Sequence, residues 1–187
     1  MKIIATNLLD AYIIEPKVHV DHRGFFMETF NVQVFEELGF SFNFVQDNHV
    51  LSIKSGVLRG LHYQLEPYAQ TKLVQVTSGA VYDVIVDIRR SSPTYGQWQE
   101  IILSAENKRQ LLIPKGFAHG YCTLVENTEF LYKVDNYYSP THDRGIAWND
   151  PQLNIDWPIS NPILSDKDTK QPNLKDLEHQ FIYKDKE

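Results

Sequence analysis

Residues 56–64 read GVLRGLHYQ, and residues 114–120 read PKGFAHG. Each stretch places a histidine, His62 in the first and His119 in the second, beside glycines that suit tight turns. Strand-forming residues surround both stretches, and this setting predicts two imidazoles aimed into the mouth of a small β-barrel. The two stretches therefore indicate both the fold of the chain and the region where a site should lie.

His62 is the first candidate for a functional side chain. A single histidine in a β protein is more often a hydrogen-bonded structural residue, but here Arg59, Gln64 and Lys72 add polar groups to otherwise apolar strands. Burying so many polar groups costs free energy unless each has a partner or a task. Because His62 and Gln64 have the same strand parity, we expect both to point into the lumen. An imidazole held by an acidic residue would serve there as a general base.

Length and composition predict one globular domain. The chain has 187 residues, of which 42% are hydrophobic and 12% aromatic, far from the composition of a disordered chain. We expect a single domain over residues 1–187, with the core barrel at about 45–140. The formal net charge of −6 argues against a general binder of nucleic acids or membranes, because affinity for a phosphate backbone needs a broad basic face.

Cysteine usage and the N-terminus bear on the compartment. The single cysteine, Cys122, excludes an internal disulfide and a cysteine-based zinc cluster, which suits a reducing environment. Its apolar neighbours predict a small buried side chain rather than a nucleophile. Residues 1–4 lack a signal-peptide pattern, and no apolar run approaches the roughly 18 residues of a membrane span, so we expect a cytoplasmic protein.

Segments rich in β-branched and aromatic residues recur between turn signals, which predicts strands rather than helices. The clearest are residues 71–76, 80–89, 97–103, 110–113 and 128–134. Within 80–89 the polar residues have one parity and the apolar residues the other: Asp83, Asp87 and Arg89 against Val84 and Val86. One face of this strand should therefore meet a core, and the other should meet a lumen or solvent.

Two helices are expected around this sheet-rich core. Residues 31–38 should form a short helix with Asn31 as its N-cap, Phe35 and Leu38 on one face and Gly39 at its end. Residues 174–181 are typical of a terminal helix that lies on the barrel.

Other polar and aromatic residues leave two interpretations open. Tyr132 alternates with apolar neighbours and is either an amphipathic core residue or a proton donor facing the barrel. Tyr138 precedes a turn at Pro140, as part of a lid or of ordinary edge packing. Lys72 is either a solvated charge at a strand end or, in a barrel mouth, a stabiliser of a developing oxyanion. Residues 21–28 suit a binding loop as well as a hairpin turn.

The motifs together resemble those of the dTDP-4-dehydrorhamnose 3,5-epimerase family over residues 14–172. They occur in the family's order: DHRGFFME at 21–28, QDN at 46–48, LRGLHYQ at 58–64, TKL at 71–73, GAVYDV at 79–84, PKGFAHG at 114–120, YK at 132–133, YYSP at 137–140 and LSDKD at 164–168. The resemblance implies an all-β fold, a cupin-like jelly-roll β-barrel with short peripheral helices, including a C-terminal helix.

The resemblance implies an epimerase that uses no cofactor and no metal. Its substrate would be dTDP-4-dehydro-6-deoxy-D-glucose, inverted at C3 and C5 to dTDP-4-dehydro-L-rhamnose during dTDP-L-rhamnose biosynthesis for cell-surface polysaccharides. A ketone at C4 acidifies the protons at C3 and C5, so inversion requires removal of each proton and its return from the opposite face. By similarity, His62 would be the base held by Asp168, Tyr132 the acid, and Lys72 the cation beside the C4 oxygen.

The resemblance also implies a set of substrate-binding residues. Arg23 and Arg59 would hold the pyrophosphate, and Tyr138 would stack on thymine. Further family positions that touch the nucleotide or the sugar are Glu28, Gln46, Asn48, Lys72, His119, Asp143 and Lys167. In the family, the segment 23–28 reaches into the neighbouring subunit's site, which implies a homodimer.

Two departures from the family pattern stand out. Asp143 occupies a position where the family often has the longer Glu, which predicts a weaker or water-mediated contact with the ligand. The start of the binding loop, residues 18–20, reads VHV and is less aromatic than is usual there. Neither departure touches the residues proposed to move protons.

Three alternatives stay open from the sequence. An epimerase that inverts only C3 or only C5 of a related dTDP-4-keto sugar would share the same proton-handling residues. A metal-dependent cupin enzyme needs three or four ligands on one ion, and His62 and His119 are the only good ones among the candidates. A non-catalytic sugar-nucleotide binder would keep Arg59 and Tyr138 without needing the acid and base.

Overall fold

The computed structural model describes residues 1–178 and 181–184, and in this part of the chain strands form three antiparallel sheets. The six-stranded sheet has the order β1 (Lys2–Ala5), β2 (Tyr12–Glu15), β10 (Gln110–Ile113), β7 (Lys72–Ser78), β12 (Thr128–Val134) and β5 (Gln46–Ser52). The five-stranded sheet has the order β13 (Asp143–Gly145), β6 (Leu58–Gln64), β11 (Phe117–Thr123), β8 (Ala80–Asp87) and β9 (Trp98–Ser104). A separate hairpin pairs β3 (Val18–Asp21) with β4 (Gly24–Met27). This is the predicted all-β, cupin-like jelly roll.

All five predicted strands are confirmed, two of them with the predicted bounds and three with ends that shift by one or two residues. The largest trimming is at β8, which ends at Asp87 instead of Arg89. The buried Asp87 carboxylate accepts hydrogen bonds from the backbone N–H of Arg89 at 2.9 Å and from its guanidinium at 2.9 and 3.0 Å. This local pairing turns the chain away from the sheet ladder.

Apolar residues fill the space between the two large sheets and also cover their outer faces. The layer between the sheets includes Val74, Ile85, Leu111 and Phe130. The outer face of the five-stranded sheet packs against the chain that follows β13, and Trp157 and Leu174 belong to the same buried cluster as Val84 and Val86. The outer face of the six-stranded sheet is covered by α1 and the aromatic residues near it.

Strand β8 is buried on both faces. Its polar residues Asp83 and Asp87 are 0% exposed, as are the apolar Val84 and Val86 on the other side. Of the two alternatives for the polar face, the lumen is correct and solvent is wrong. The reason is that the six-stranded sheet packs over the side of β8 that carries Asp83, while the C-terminal chain covers the side that carries Val84 and Val86, and alternation along β8 alone reveals neither.

The first predicted helix is confirmed as α1 (Val32–Glu37). The Asn31 side chain caps it by accepting a hydrogen bond from the backbone N–H of Gln33 at 3.1 Å, and Phe35 is its buried residue. Gly39 follows with φ of +86°, a left-handed conformation that glycine adopts without a steric penalty.

The second predicted helix is shorter than expected. A single 3-10 turn at Leu174–Asp176 stands in its place, Leu177 is extended, and residues 179 and 180 lie outside the described part of the chain. Leu174 is fully buried, and its backbone N–H donates to Asp150 Oδ2 at 2.8 Å, so a tertiary contact holds the turn. No helix among residues 1–178 and 181–184 has the length and apolarity needed to cross a membrane.

Strands β6 and β11 come unusually close where the two glycine-containing motifs meet. A Cβ atom added to Gly60 would lie 2.5 Å from the Cα of Gly120, and Gly60 has φ of +127°. His119 pairs with His62 and Tyr121 pairs with Arg59, so the single residue Gly120 on β11 opposes two residues on β6. The extra residue is a β-bulge, and it places Arg59 and His62, three apart in sequence, on the same face.

The bulge predicts a stability test. We expect Gly60→Ala to lower the free energy of unfolding by about 2 to 4 kcal/mol, because the new Cβ meets backbone and the left-handed φ strains an L-residue. Gly24→Ala is the matched control, since Gly24 has φ of +131° but nothing within 4 Å of an added Cβ. Urea unfolding of both variants measures the difference, and equal losses would contradict the close approach of the two strands.

Candidate active site

A cavity of about 500 Å³ opens between the two large sheets, and both sheets contribute to its walls. The five-stranded sheet contributes Arg59, His62 and His119, and the six-stranded sheet contributes Lys72 and Tyr132. Asp168, from the first 3-10 helix (Asp168–Lys170), completes the polar lining. The structure therefore brings six of the sequence-predicted site residues to one cavity.

His62 and Asp168 form the closest polar pair in this cavity. His62 Nε2 lies 2.6 Å from Asp168 Oδ1, and Ser165 Oγ donates to the other carboxylate oxygen at 2.8 Å. Burial raises the pKa of Asp168, but the hydrogen bonds from His62 and Ser165 outweigh it and hold that pKa below its ordinary value. An ionised carboxylate only accepts, so Nε2 carries the shared proton, and in the neutral form of the imidazole the lone pair is on Nδ1.

His62 and Asp168 are 106 positions apart in the sequence, and backbone pairing brings their segments together. Ile163 pairs with Val57 just before β6, its N–H donates to Gly56 O at 2.8 Å, and its carbonyl accepts from the N–H of Leu58 at 3.0 Å. This contact lays the segment that contains Asp168 alongside the strand that carries His62. The dyad is therefore a product of tertiary pairing.

His119 has a carboxylate partner of its own. Its Nε2 lies 3.0 Å from both carboxylate oxygens of Asp83, and the two residues are buried. His119 pairs with His62 across β6 and β11, so the two histidines occupy neighbouring strands. Among the described residues, no group of three or more His, Cys, Asp or Glu side chains is arranged to hold a metal ion.

Lys72 is a half-buried cation at the start of β7. Burial lowers its pKa to about 8, and the negative charges of Asp143 and Asp83 only partly oppose that shift. No carboxylate in the described part of the chain lies within 4.0 Å of its Nζ. The ammonium is thus poorly solvated and open to an anionic group in the cavity.

Tyr132 stands on β12, opposite Asn48 of β5. Burial raises the pKa of its phenol, and the Arg59 guanidinium partly offsets the rise. The phenol therefore keeps its proton at neutral pH. Because β12 and β6 belong to facing sheets, Tyr132 and His62 approach the cavity from opposite walls.

Tyr121 also lines the cavity and was not among the predicted site residues. Its ring stacks on Phe130 at a centroid distance of 4.2 Å, and burial raises the pKa of its phenol. Tyr121 on β11 pairs with Arg59 on the neighbouring strand β6, and Arg59 Nε donates a long hydrogen bond to Ser52 Oγ at 3.4 Å. The motif PKGFAHG stops one residue short of Tyr121, but Tyr121 lies two residues after His119 on β11 and so has the same strand parity, a signal that could have found it.

A second polar cluster lies near the cavity. Asp143 Oδ2 accepts a hydrogen bond from the Tyr138 hydroxyl at 3.0 Å and forms an ion pair with Lys167. Asp143 is close enough to Lys72 and Tyr132 to raise the pKa of both groups. The structure therefore joins three predicted binding residues, Tyr138, Asp143 and Lys167, in one cluster beside the cavity.

Gln46 and Asn48 lie on β5 and share the strand face of Val50, which lines the cavity. The Gln46 amide donates to Asn48 Oδ1 at 2.8 Å. Arg23 and Glu28, by contrast, are not part of the cavity of their own chain. Arg23 is exposed in the β3–β4 hairpin and pairs with Asp21 at 2.6 Å, and Glu28 accepts from Asn31 at 3.1 Å.

Gln64 differs from its prediction. Although it has the parity of His62, its amide is engaged by the backbone of Tyr68, Tyr137 and Ser139 instead of facing an open lumen. The physical reason is that two loops close over this end of β6, which the local sequence does not show.

Comparison with known proteins identifies the family. The family model described as dTDP-4-dehydrorhamnose 3,5-epimerase matches residues 5–176. The chain belongs to this family. A dTDP-4-dehydrorhamnose 3,5-epimerase of Shigella flexneri is 58% identical to it over 96% of this chain and 99% of the relative.

Solved structures of epimerases share the fold. A dTDP-4-dehydrorhamnose 3,5-epimerase from Bacillus anthracis with TDP and PPi bound has a TM-score of 0.90 and 57% identity, covering 92% of this chain and 98% of that one. A dTDP-6-deoxy-D-glucose-3,5-epimerase from Legionella pneumophila in complex with dTDP-4-keto-L-rhamnose has a TM-score of 0.94 and 48% identity, covering 98% and 99%.

Lys72, which has no close carboxylate among residues 1–178 and 181–184, predicts a pH-dependent cost in stability. We expect Lys72→Met to raise the free energy of unfolding at pH 7 by about 1 to 3 kcal/mol, because a buried cation is replaced by an apolar side chain of similar length. The pKa of Lys72 is about 8 in the folded state against 10.5 in the unfolded chain. Wild type should therefore gain stability above pH 8, and the difference in unfolding free energy between Lys72→Met and wild type should narrow towards pH 10.5.

Urea unfolding at pH 7 and pH 10 measures this difference in unfolding free energy between Lys72→Met and wild type. Lys54→Met is the control, because Lys54 is exposed and its replacement should change stability by less than about 0.5 kcal/mol. A Lys72→Met protein that is less stable than wild type at pH 7 would show that the ammonium is stabilised in the free protein.

Proposed function

We propose that this chain catalyses the cofactor-independent epimerisation of dTDP-4-dehydro-6-deoxy-D-glucose at C3 and C5, giving dTDP-4-dehydro-L-rhamnose. One observation carries the proposal: the His62–Asp168 pair and Tyr132 line the same cavity from opposite sheets. Inversion at carbon needs a base on one face of the sugar and an acid on the other. Family membership and the ligands named for the solved relatives support the substrate class.

Proton removal falls to His62 in this proposal. Nδ1 accepts the proton from C5 or C3, the C–H electron pair moves into the adjacent C–C bond, and the C4 carbonyl becomes an enolate. Asp168 keeps the imidazole in the required tautomer and stabilises the imidazolium that forms. The Lys72 ammonium, which has no close carboxylate partner among the described residues, balances the enolate charge at O4.

Proton return falls to Tyr132. Its hydroxyl gives a proton to the carbanion carbon from the face opposite His62, the enolate reverts to the ketone, and the phenolate is left behind. Arg59, which lowers the phenol pKa through its charge, stabilises that phenolate. Solvent then returns a proton to Tyr132 and takes one from the His62 imidazolium. No electron is exchanged, so the cycle needs no redox cofactor, and we propose that it needs no metal.

Binding of the nucleotide follows from the charged groups around the cavity. Arg59 is the guanidinium available to the pyrophosphate, and His119, Gln46 and Asn48 face the cavity side of their strands. Tyr138, Asp143 and Lys167 form the cluster near the cavity, where the thymine and sugar would lie. This local cationic set on a chain of net charge −6 suits a diphosphate ligand.

We further propose a homodimer in which the β3–β4 hairpin of one subunit contributes Arg23 and Glu28 to the site of its partner. Two observations support it. Within residues 1–178 and 181–184 the hairpin pairs with no other strand, and it exposes Val20, Phe25 and Phe26 at 77%, 58% and 68%. Such apolar exposure is typical of an interface rather than a free surface. We also propose that the chain acts as a single domain over residues 1–187 and, since Cys122 can form no internal disulfide, that it is cytoplasmic.

The first functional prediction concerns hydrogen exchange. With dTDP-4-keto-6-deoxyglucose in deuterated water, wild type should introduce deuterium at both C3 and C5, read by NMR. His62→Ala should slow exchange at both carbons by at least about 100-fold, because the base is lost, while affinity for dTDP stays within about threefold.

His49→Ala is the matched control, since His49 pairs with Glu129 at 2.8 Å on the outer surface. Label at only one carbon in wild type would select the alternative of a 3-only or 5-only epimerase. Label at neither carbon would exclude catalysis on this substrate. Loss of exchange after treatment with a chelator would contradict the metal-free mechanism.

The second functional prediction tests the shared site. Arg23→Ala should lower kcat/KM by about 10- to 100-fold, because a charge-assisted contact with the pyrophosphate is lost. Co-expression of Arg23→Ala with His62→Ala subunits should restore about one quarter of wild-type activity, since half of randomly assorted dimers are mixed and each has one intact site. Mixed dimers purified by two tags and no more active than the parents would overturn the hairpin exchange.

A further inference from the structure

Gln64 is buried two residues beyond His62 on β6, and its amide contacts three backbone groups in two loops. Nε2 donates to the carbonyl oxygens of Tyr68 at 2.7 Å and Tyr137 at 3.1 Å, and Oε1 accepts from the N–H of Ser139 at 2.7 Å. A primary amide has two N–H donors, so both are used. The side chain therefore clamps two loops to the strand that carries His62.

Gln64 holds the backbone on both sides of Tyr138. The residues on both sides of Tyr138 are bonded to Gln64, while the Tyr138 side chain itself is 58% exposed. Its hydroxyl is tied to Asp143, and Asp143 is the residue opposite Gln64 in the pairing of β13 with β6. Backbone and ring tip are thus both held by the same pair of strands. An exposed aromatic ring fixed in this way loses little conformational entropy when another ring stacks on it.

We propose that Gln64 is a positioning residue for the nucleobase end of the substrate. It sets the Tyr138 ring at a fixed place relative to His62, so that stacking of the base and proton abstraction from the sugar are aligned by one strand. Residues two apart on a strand are separated by about 7 Å, so β6 sets a fixed distance between His62 and Gln64, which holds the loop of Tyr138. The proposal rests on the dTDP-sugar function proposed above.

Replacement of the amide should release Tyr138 without touching the proton-transfer residues. In Gln64→Met the side-chain length is kept, but the carbonyls of Tyr68 and Tyr137 and the N–H of Ser139 lose their partners. In Gln64→Glu an ionised carboxylate faces those two carbonyls and cannot donate. The segment should then sample other conformations, and the substrate must order it on binding.

Affinity and kinetics test the proposal. Both Gln64 variants should raise the Kd for dTDP about tenfold and raise KM for the keto sugar by the same factor, with kcat within about threefold of wild type. Gln70→Met is the matched control: its amide donates to Asn136 O at 2.8 Å in the same loop but does not touch the neighbours of Tyr138. Its Kd should stay within about twofold. A purely structural role would lower the melting temperature without moving Kd or KM.

A double variant separates positioning from general loosening. Tyr138→Ala should itself raise the Kd for dTDP, and adding Gln64→Met to it should change the Kd by less than about twofold, because the group that Gln64 positions is gone. Additive effects would overturn the proposal. So would a folded Gln64→Met protein with wild-type Kd and KM; if that variant fails to fold, Gln64→Glu answers the same question.

Measurements on the wild-type protein separate a failure of the proposed function from a failure of the positioning role of Gln64. If it binds dTDP and exchanges deuterium while the Gln64 variants bind as wild type does, only the positioning role is overturned. If wild type does neither, the proposed function fails and the positioning role falls with it.

Discussion

The close approach of β6 and β11 at Gly60 and Gly120 is the constraint on which the site depends. At this point the strand backbones leave no room for a Cβ, and one residue of β11 faces two of β6. The resulting bulge breaks the alternation of side chains, so that Arg59 and His62 both reach the cavity. In a regular strand, residues three apart would point to opposite faces, and the guanidinium would lie on the far side of the sheet from the imidazole.

The cavity combines an apolar barrel with polar groups of two kinds. His62 and His119 each have a carboxylate within hydrogen-bond distance, so their orientation is determined by the protein before any ligand arrives. Lys72 has no such partner among the described residues, and burial lowers its pKa. A side chain with a hydrogen-bonded partner is held in a fixed orientation, whereas a cation without a carboxylate partner can interact with negative charge on the substrate. Such a cation lowers the stability of the free protein, a cost that is common at sites built for charge that develops during reaction.

Strand β6 serves the core and the site at the same time. Leu61 and Tyr63 are buried in the layer beneath the C-terminal chain, while His62 lies on the cavity side and Gln64 holds two loops. Because one short strand carries all of these contacts, a shift of its register would disturb the core, the His62–Asp168 pair and the loops held by Gln64 together. The same strand also aligns with residues 163–168, and this brings Asp168 to His62 from far along the chain.

Local sequence patterns were sufficient for much of the fold. Segments rich in β-branched and aromatic residues between turn signals located the five clearest strands, and Asn31 and Gly39 marked the ends of α1, because these features depend on residues that are near one another in the chain. They were insufficient for the predicted terminal helix, where Asp150 holds Leu174 in a 3-10 turn, and for β8, whose outer face is covered by distant chain. For the site, the motifs named His62, Asp168 and Tyr132 as candidates, whereas Tyr121 was missed because it lies just beyond the motif PKGFAHG, although it has the parity of His119 on β11.

The sequence by itself therefore determined the strands, the capped helix and the identity of the groups able to move protons, since these are properties of single residues and of their near neighbours. Only the tertiary structure decided that His62 meets Asp168, that Lys72 stands without a close carboxylate in the described chain, and that Gln64 holds loops instead of facing the lumen. These outcomes depend on which segments pair across the sheets, and pairing is set by burial and backbone hydrogen bonds between residues that are distant in sequence.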